Sequence, residues 1–410
     1  MKKKLITILQ KILRVLARLT IKRYKPTIVG ITGSVGKTST KRAVAFVLRE
    51  ERTVRFSPGN FNNELGMPLT ILGDWGRITG KVFWVKVITR SVLNLLIKTN
   101  YPEILVLEYG ADKPGDIKYL LEIAKPDISI ITAVGDTPVH IEYYSSQKEV
   151  LREKSRLVKV LTKKDIAILN YDDPEVRELR SKTRAQVLTY GFSKNADLRV
   201  IDYKYFKKDD KVLGISFKVT RKDKHIDITL KGSVGKSHAY SAAAAVATGL
   251  VMDCTPEKII EGLGKYKSEW GRMRIIESRS YQGVTILDDS YNASPLSVKA
   301  ALDTLKNIPG KRKIAILGDM RELGKHSSTA HNEIGKLAAE VVDVLLVVGK
   351  ESKKMVEGAQ KGGLKRENIH HFNTAEEARF KIKKMPKNGD VILFKASRAI
   401  KLENLVKLLN

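Results

Sequence analysis

The chain has 410 residues, and its 75 lysines and arginines against 45 aspartates and glutamates give a formal charge of +30. This length predicts two or three domains of roughly 150 residues each, and a hydrophobic fraction of 42% excludes global disorder. The single cysteine, Cys254, excludes an internal disulfide and a cysteine-based metal cluster. The sequence lacks a run of roughly 18 apolar residues, so we expect no transmembrane helix. The charge permits anionic partners such as nucleotides, nucleic acid or an acidic membrane surface.

Residues 1–25 form a segment with nine basic residues and no acidic one. Apolar side chains recur along it at helical spacing; they are Leu5, Ile8, Leu9, Ile12, Val15, Leu16 and Leu19. This pattern predicts an amphipathic helix. The helix either lies on an anionic membrane surface or packs on the following domain with its basic residues in water, and the sequence leaves both open.

From residue 26 onward, short apolar runs alternate with helical stretches, which indicates a parallel sheet covered on both faces. Strands are predicted at 27–32, 104–108, 128–132 and 166–170, with helices at 38–50 and 238–250. Residues 186–232 are short, alternating and separated by turns, which is typical of antiparallel strands. A second series begins near residue 270, with strands at 284–287, 313–317, 344–348 and 391–394 and helices at 297–306 and 331–341.

These patterns predict an α/β fold: a P-loop parallel-sheet ATPase domain with a small antiparallel β-subdomain, followed by a Rossmann-like α/β carboxyl-terminal domain. The predicted divisions are a basic helix at 1–25, an ATP-binding domain at 26–268 and a carboxyl-terminal domain at 269–410.

The segment GITGSVGKT at 30–38 follows a predicted strand and opens a predicted helix, as a phosphate-binding loop requires. Its glycines let backbone N–H groups turn toward phosphates, and the helix dipole adds favourable potential. Lys37 would contact the β- and γ-phosphates, and Thr38 would bind Mg²⁺ through its hydroxyl. The residues predicted to bind nucleotide here are Gly33, Ser34, Gly36, Lys37, Thr38 and Ser39.

Glu108 is the last residue of a buried strand predicted to share the sheet with this loop. Ligands favour the carboxyl edge of such a sheet, so Glu108 is a candidate Mg²⁺ ligand. The alternative is a carboxylate that caps a helix or a turn.

Several segments occur in an order that belongs to one known family. They are GITGSVGKTST at 30–40, NFNNELGMPLTIL at 60–72, LEYGADKPGDI at 107–117, HIEYYSSQKEVLREKSR at 140–156, GRM at 271–273, DDSYNA at 288–293, GDMRELG at 318–324 and FKASR at 394–398. With them the chain resembles the Mur ligases from about residue 26 to residue 410, and most closely the MurF type. The resemblance implies ATP- and Mg²⁺-dependent amide-bond formation through an acyl phosphate. The MurF type adds D-Ala-D-Ala to a UDP-linked muramoyl tripeptide in peptidoglycan synthesis.

The resemblance also implies roles for single residues. Lys37, His140, Lys154 and Arg272 would be catalytic. Glu108 and His140 would complete the metal sites. Lys154 falls where the family carries a carbamylated lysine that serves as a metal ligand. From spacing alone, Lys154 reads as an ordinary surface lysine and His140 as a structural histidine.

Three further groups carry over from the family. Arg272 would reach the ATP phosphates, with Asp289 and Asn292 at the nucleoside. Asn62 and Asn63 would lie near the acceptor substrate. The residues expected to face the incoming amine are Lys395, Ser397 and Arg398.

Three features depart from the family pattern. The phosphate loop begins at residue 30, so we expect the chain to lack the domain that grips the UDP-sugar. The segment GKSHAYS at 235–241 lacks the two asparagines usual there. The link at 73–101 is longer than usual, basic and rich in apolar residues. It is either a helix packed on the core or, with residues 1–25, a surface that faces a membrane or binds the acceptor.

The leading interpretation is a cytoplasmic, monomeric peptide ligase in peripheral contact with the inner membrane face. Its partners would be a cell-wall precursor with a carboxylate acceptor and an amino acid or dipeptide, and we expect no nucleic acid. One alternative is the same chemistry on a pseudomurein-like peptide, a lipid-linked precursor or a poly-amino acid. A second alternative is a basic P-loop ATPase that binds nucleic acid.

Overall fold

A computed structural model describes residues 2–59, 61–76, 78–135, 140–209 and 211–410, without the side chains of Lys2, Lys3 and Lys81. The described residues form two β-sheets. The strands of the first sheet are β1 (Thr27–Thr32), β2 (Val54–Phe56), β3 (Ile104–Glu108), β4 (Ile128–Ile131), β5 (Ile166–Asn170), β6 (Gln186–Gly191), β7 (Leu198–Lys208), β8 (Lys211–Arg221) and β9 (Lys224–Lys231). Those of the second sheet are β10 (Arg274–Glu277), β11 (Thr285–Asp288), β12 (Arg312–Gly318), β13 (Val344–Val348), β14 (Ile369–Phe372) and β15 (Asp390–Lys395).

Helices cover the faces of both sheets and bury their apolar stripes against them. In chain order they are α1 (Lys2–Tyr24), α2 (Lys37–Leu48), α3 (Gly66–Leu72), α4 (Gly80–Leu96), α5 (Asp116–Ile123), α6 (Gln147–Lys159), α7 (Pro174–Arg177), α8 (Lys236–Val251), α9 (Pro256–Lys265), α10 (Pro295–Asn307), α11 (Ser327–Ala339), α12 (Lys353–Lys361), α13 (Ala375–Lys384) and α14 (Glu403–Leu409).

The first sheet has the order β2-β3-β1-β4-β5-β6-β7-β8-β9. Its strands from β2 to β7 are parallel, and β7, β8 and β9 are antiparallel. The antiparallel strands therefore extend the main sheet. The prediction that residues 186–191 begin the antiparallel part is wrong, because this strand pairs in parallel with β5. Its last four residues are all buried, as in a strand covered on both faces, whereas β7 alternates between buried and accessible positions.

The second sheet has the order β10-β11-β15-β12-β13-β14 and is parallel except for β10. Together the two sheets confirm the predicted α/β class. The predicted division between residues 268 and 269 falls between them and stays a prediction. The carboxyl ends of β1 and β3 in one sheet, and of β11 and β15 in the other, lie around one cavity, which is where open parallel sheets bind ligands.

The amino-terminal helix α1 packs on α3, α4 and α5. Leu13, Leu16, Ala17 and Thr20 are buried in that contact. The predicted packing of this helix on the following domain is therefore confirmed for one of its faces. The described helices include none that is both long enough and apolar enough to cross a membrane.

Candidate functional site

The cavity between the two sheets has a volume of about 620 Å³. Most of the site residues predicted from the sequence line it: Ser34, Gly36, Lys37, Thr38, Ser39, Asn62, Glu108, His140, Arg272, Asp289, Asn292, Lys395, Ser397 and Arg398. Gly33, Asn63 and Lys154 lie outside its described lining. The fold thus brings residues from distant parts of the chain to one place.

The phosphate loop is the turn between β1 and α2, and its shape depends on two glycines. Gly33 has a φ of 150°, and a Cβ there would lie 2.0 Å from Thr132 Oγ1. Gly36, with a φ of 89°, precedes the first residue of α2 in the left-handed region that favours glycine. The Ser34 backbone N–H donates to Ala133 O at 2.6 Å, which fixes the loop against the end of β4.

The loop, the start of α2 and the facing Arg272 present positively charged and unsatisfied groups to the cavity. Lys37 Nζ donates to Gly33 O at 2.8 Å. Burial lowers the pKa of Lys37, an effect that Glu108 opposes. Ser34 Oγ and Arg272 Nε are buried without a hydrogen-bond partner among the described residues. Because buried polar groups are normally satisfied, these atoms fit an anionic ligand such as a phosphate.

Glu108 is the most heavily contacted carboxylate in the cavity. Its Oε2 accepts from Thr38 Oγ1 at 3.2 Å, and its Oε1 accepts from Asn62 Nδ2 at 3.1 Å. Lys41 Nζ lies 3.2 Å from Oε2, and the Lys41 and Glu108 side chains are 0% and 2% exposed. Burial alone would raise the pKa of Glu108, but Lys41, Lys37 and Arg272 together lower it. Glu108 is therefore held as an anion.

Sequence reasoning missed Lys41. It also donates from Nζ to Gly59 O at 2.7 Å, so it joins α2 to the loop that carries Asn62. Its position, one helical turn after Lys37, places it on the same face of α2. That spacing is the signal that could have identified it.

Two oxygen ligands suited to Mg²⁺ lie together at this point. They are the Thr38 hydroxyl and the Glu108 carboxylate. The described residues contain no group of three or more histidines, cysteines, aspartates and glutamates that could hold a metal alone. Mg²⁺ commonly takes one or two protein oxygens and completes its shell with phosphates and water. The residues present therefore fit a metal that binds together with a nucleotide.

His140 joins the two sheets. Its φ of 65° is in the left-handed region, and its Nε2 lies 3.3 Å from Asp112 Oδ1. Its Nδ1 lies beside Glu322 Oε2, which comes from the loop after β12. Burial lowers the pKa of His140 although both carboxylates oppose this. Sequence reasoning gave Asp112 and Glu322 no role, although both stand in the family-like segments.

Lys154 lies on α6, outside the described lining of the cavity. The expectation from spacing alone, an ordinary surface lysine, is wrong, because the side chain is buried at 1% exposure. Burial, reinforced by the charge of Lys37, lowers the pKa of Lys154 to about 7. A large fraction of this amine is therefore neutral near pH 7.

Arg272 reaches across from the second sheet to the phosphate loop. Its Nη2 donates to Thr38 Oγ1 at 3.3 Å, and its Cζ lies 3.8 Å from the centre of the Tyr291 ring. His238 holds the Arg272 backbone: its Nε2 lies 2.8 Å from Arg272 O, and its Nδ1 lies 3.0 Å from Tyr266 OH. Burial lowers the pKa of His238 to about 4. The segment GKSHAYS thus contacts the segment GRM at 271–273 without the usual asparagines.

The loops after β11 and β15 are tied together at the opposite wall. Lys395 Nζ contacts Asp289 Oδ2 and donates to Asn292 O at 3.0 Å. Burial raises the pKa of Asp289, and Lys395 opposes this. Ser397 Oγ accepts from the Arg321 N–H at 2.9 Å. Lys395 therefore ties the end of β15 to the loop after β11, and Ser397 ties the loop after β15 to the loop after β12.

Arg398 and Asn63 take different positions at the two ends of the site. Arg398 is exposed on the cavity, with its Cζ 5.1 Å from the centre of the Tyr291 ring. Asn63 Oδ1 accepts from the Gly66 N–H at 2.9 Å, at the start of α3. Asn63 therefore shapes the loop whose other asparagine, Asn62, faces the cavity.

Comparison with known proteins gives matches along most of the chain. Residues 31–75 and 89–249 match the Mur ligase middle domain, and residues 271–398 match the Mur ligase glutamate ligase domain. The chain is 30% identical over 405 residues to the UDP-N-acetylmuramoyl-tripeptide–D-alanyl-D-alanine ligase of Bacillus subtilis, covering 96% of this chain and 78% of that protein. It is 32% identical over 410 residues to the ligase of the same name from Mycobacterium leprae, covering 93% and 73%.

A solved structure agrees with these matches. The MurF ligase of Thermotoga maritima, crystallised in complex with ADP, aligns with a TM-score of 0.79 at 28% identity. The alignment covers 98% of this chain and 83% of the other.

Proposed function

The chain belongs to the Mur ligase family, whose members are ATP-dependent ligases, and on this premise we propose that it adds D-Ala-D-Ala to a UDP-linked muramoyl tripeptide in peptidoglycan synthesis. The observation that carries the proposal is the meeting of two sets of groups in one cavity. A phosphate loop with Glu108 comes from the first sheet, and Arg272 and Arg398 come from the carboxyl-terminal part. A ligase needs this arrangement, because the nucleotide and both substrates must meet.

ATP would bind with its phosphates on the turn between β1 and α2. The unsatisfied Ser34 hydroxyl, the Lys37 ammonium and the N–H groups at the start of α2 supply donors there. Arg272 already touches Thr38 at this point. The nucleoside would lie toward Asp289 and Asn292 on the opposite wall.

Mg²⁺ would be held by the Thr38 hydroxyl and the Glu108 carboxylate. When bound, it would neutralise part of the phosphate charge. The contacts that Glu108 receives from Lys41 and Asn62 keep it anionic and fixed in direction. His140 lies further out, where Asp112 and Glu322 orient it.

The reaction would proceed in two displacements. An oxygen of the acceptor carboxylate attacks the γ-phosphorus, and the bond from that phosphorus to the bridging oxygen breaks, which gives an acyl phosphate and ADP. The amine nitrogen then attacks the acyl carbon, and phosphate leaves with the electrons of the carbon–oxygen bond while the amine proton passes to water. Lys37 and Arg272 stabilise the charge on the phosphoryl group.

The substrate carboxylates would meet two sets of side chains. Asn62 would face the acceptor, with Asn63 holding the loop in place. Arg398, exposed on the cavity, offers a guanidinium to the carboxylate of the incoming dipeptide. Lys395 and Ser397 would position the loop that carries it.

We also propose that Lys154 is carbamylated. Only a neutral amine adds to carbon dioxide, and burial supplies that form near pH 7. The amine nitrogen bonds to the carbon of carbon dioxide and releases a proton, which replaces an ammonium that Lys37 repels with an anion that Lys37 attracts. Carbamylation thus removes the repulsion between Lys37 and the protonated fraction of Lys154.

The test is an assay with ATP, Mg²⁺, UDP-muramoyl tripeptide and D-Ala-D-Ala, with phosphate release measured and the product identified by mass. We expect an amide product that disappears in Lys37→Ala and persists in Lys163→Ala, a control at an exposed lysine outside the cavity. Nucleotide binding without product would contradict these substrates and direct the search to other carboxylate acceptors.

The enzyme would act as a cytoplasmic monomer in peripheral contact with the inner membrane face. The supply of ATP supports the compartment. The basic residues of α1 support contact with anionic lipid.

A further inference from the structure

The helix α1 carries two apolar stripes with different partners. The stripe with Leu13, Leu16 and Ala17 is buried against the domain. A second stripe is exposed to solvent; its members are Leu5, Ile8, Ile12, Val15 and Leu19. At 3.6 residues per turn these five cover only about 80° of the helix circumference. The protein thus presents a narrow, continuous apolar strip that its own core does not use.

The helix α4 also has one buried and one exposed set of apolar side chains. Phe83 and Val87 are buried, whereas Val82, Val85 and Leu96 are 81%, 66% and 72% exposed. Such a set of exposed side chains on one helix face is unusual for a surface in contact only with water.

The two helices contact each other at their carboxyl ends. Arg23 Nη2 donates to Leu96 O at 3.5 Å, and Tyr24 OH donates to Asn94 O at 2.7 Å. The Tyr24 ring also stacks on Tyr101 with 4.5 Å between centroids. Because α1 is fixed to α4 in this way, the exposed stripes of the two helices keep a fixed position relative to each other.

The two helices themselves carry charge of one sign. Neither α1 nor α4 contains an acidic residue. Exposed cations border the stripes on both helices: Lys4, Lys11, Arg18 and Lys22 on α1, and Lys86 and Arg90 on α4. A protein partner of ordinary mixed charge gains little from such a border. An anionic lipid surface matches both the apolar strip and the cations.

We infer that the exposed faces of α1 and α4 together form a bilayer-docking face for anionic lipid. The inference rests on the membrane contact proposed above and specifies the surface that makes it. The helices lie in the plane of the lipid headgroups, with the apolar stripes inserted and the domain on the cytoplasmic side. The face is preformed, because the other side of each helix is already packed.

Co-sedimentation of the full chain with vesicles tests this inference. Vesicles of mixed phosphatidylglycerol and phosphatidylcholine are compared with vesicles of phosphatidylcholine alone, each at low and high salt. The variants are Ile8→Ser/Ile12→Ser on α1 and Val85→Ser/Leu96→Ser on α4. The matched control is Ile260→Ser, at an exposed isoleucine on α9. Thermal melts and ligase assays on soluble substrates are run on the same preparations.

We expect the parent chain and Ile260→Ser to bind the anionic vesicles, with binding weakened by salt. Each double variant should bind at least tenfold more weakly, with its melt and ligase activity unchanged. Full binding by the α4 variant would overturn the shared face. Failure of the parent chain to bind anionic vesicles would overturn the proposed docking to lipid itself. Because co-sedimentation measures binding without turnover, neither outcome depends on whether the proposed reaction is correct.

Discussion

The nucleotide cavity and the α1–α4 face both contain cations, but they hold these charges in opposite ways. Beside the cavity, Lys41 is fully buried and paired with Glu108, which lines the cavity. On the docking face, cations such as Lys11 and Arg18 lie in water beside exposed apolar side chains. A buried charge must be paired, so the cavity specifies its ligand precisely. An exposed charge needs no partner, so the face can accept a surface of variable composition. The total charge of +30 does not reveal this difference, because it counts buried and exposed cations alike.

The sharpest test of this contrast is to remove one buried partner. Lys41→Met leaves the Glu108 carboxylate buried without its cation, and we expect it to lower the free energy of unfolding by about 3–5 kcal/mol. Urea denaturation measures this. Lys41→Met/Glu108→Gln removes the uncompensated charge and should recover part of the loss. A single variant as stable as the parent would show that the pair is not needed to hold the carboxylate.

A cation that acts on substrate should affect rate more than stability. Lys37→Met is expected to lower kcat by about 10²–10³-fold, because it removes a positioned charge from the transferring phosphoryl group. Phosphate release under saturating substrates measures the change. Vesicle binding by the same variant should equal that of the parent, since Lys37 lines the cavity and is not part of the docking face. A variant that loses both properties would show that the two regions are coupled.

The sequence predicted those parts of the molecule that have a local signal. The limits of β1, β3, β5 and β13 agree with prediction because buried parallel strands are continuous apolar runs. The edge strands β2, β10 and β14 were not predicted. They have only three or four residues, too few to show a periodic pattern.

The prediction of the site likewise succeeded only where the sequence carries a local signal. Lys37, Thr38 and Glu108 could be placed together because parallel strands end at one edge of a sheet. The pairing of His140 with Glu322 could not, because it depends on how two sheets meet. On α1, the predicted apolar stripe contained both Ile8, which is exposed, and Leu16, which is buried. The sequence could not tell the two apart, because the difference depends on which face of the helix packs on the domain.

Lys154 should give a smaller, pH-dependent effect on stability. Its pKa is about 7 in the folded chain against 10.5 for the free side chain. The unfolded state therefore binds more protons between these values, and stability rises with pH across this window. In bicarbonate-free buffer we expect a gain of about 2–3 kcal/mol between pH 7 and pH 9.5 in the parent relative to Lys154→Met. Parallel urea curves measure it, and equal gains in both proteins would contradict the burial of a free amine.

The smallest effect is expected where a charge of the amino-terminal helix has a partner. Arg14 Nη1 lies 3.0 Å from Glu122 Oε2, and the two side chains are 30% and 48% exposed. Water screens such a pair, so Arg14→Gln should cost less than about 1 kcal/mol, and high salt should erase the difference. Urea curves at low and high salt measure it. A loss as large as that of Lys41→Met would mean that α1 is held by its charges. A small loss would instead assign the anchoring of the docking face to the buried Leu13 and Ala17, leaving the cations free to meet lipid.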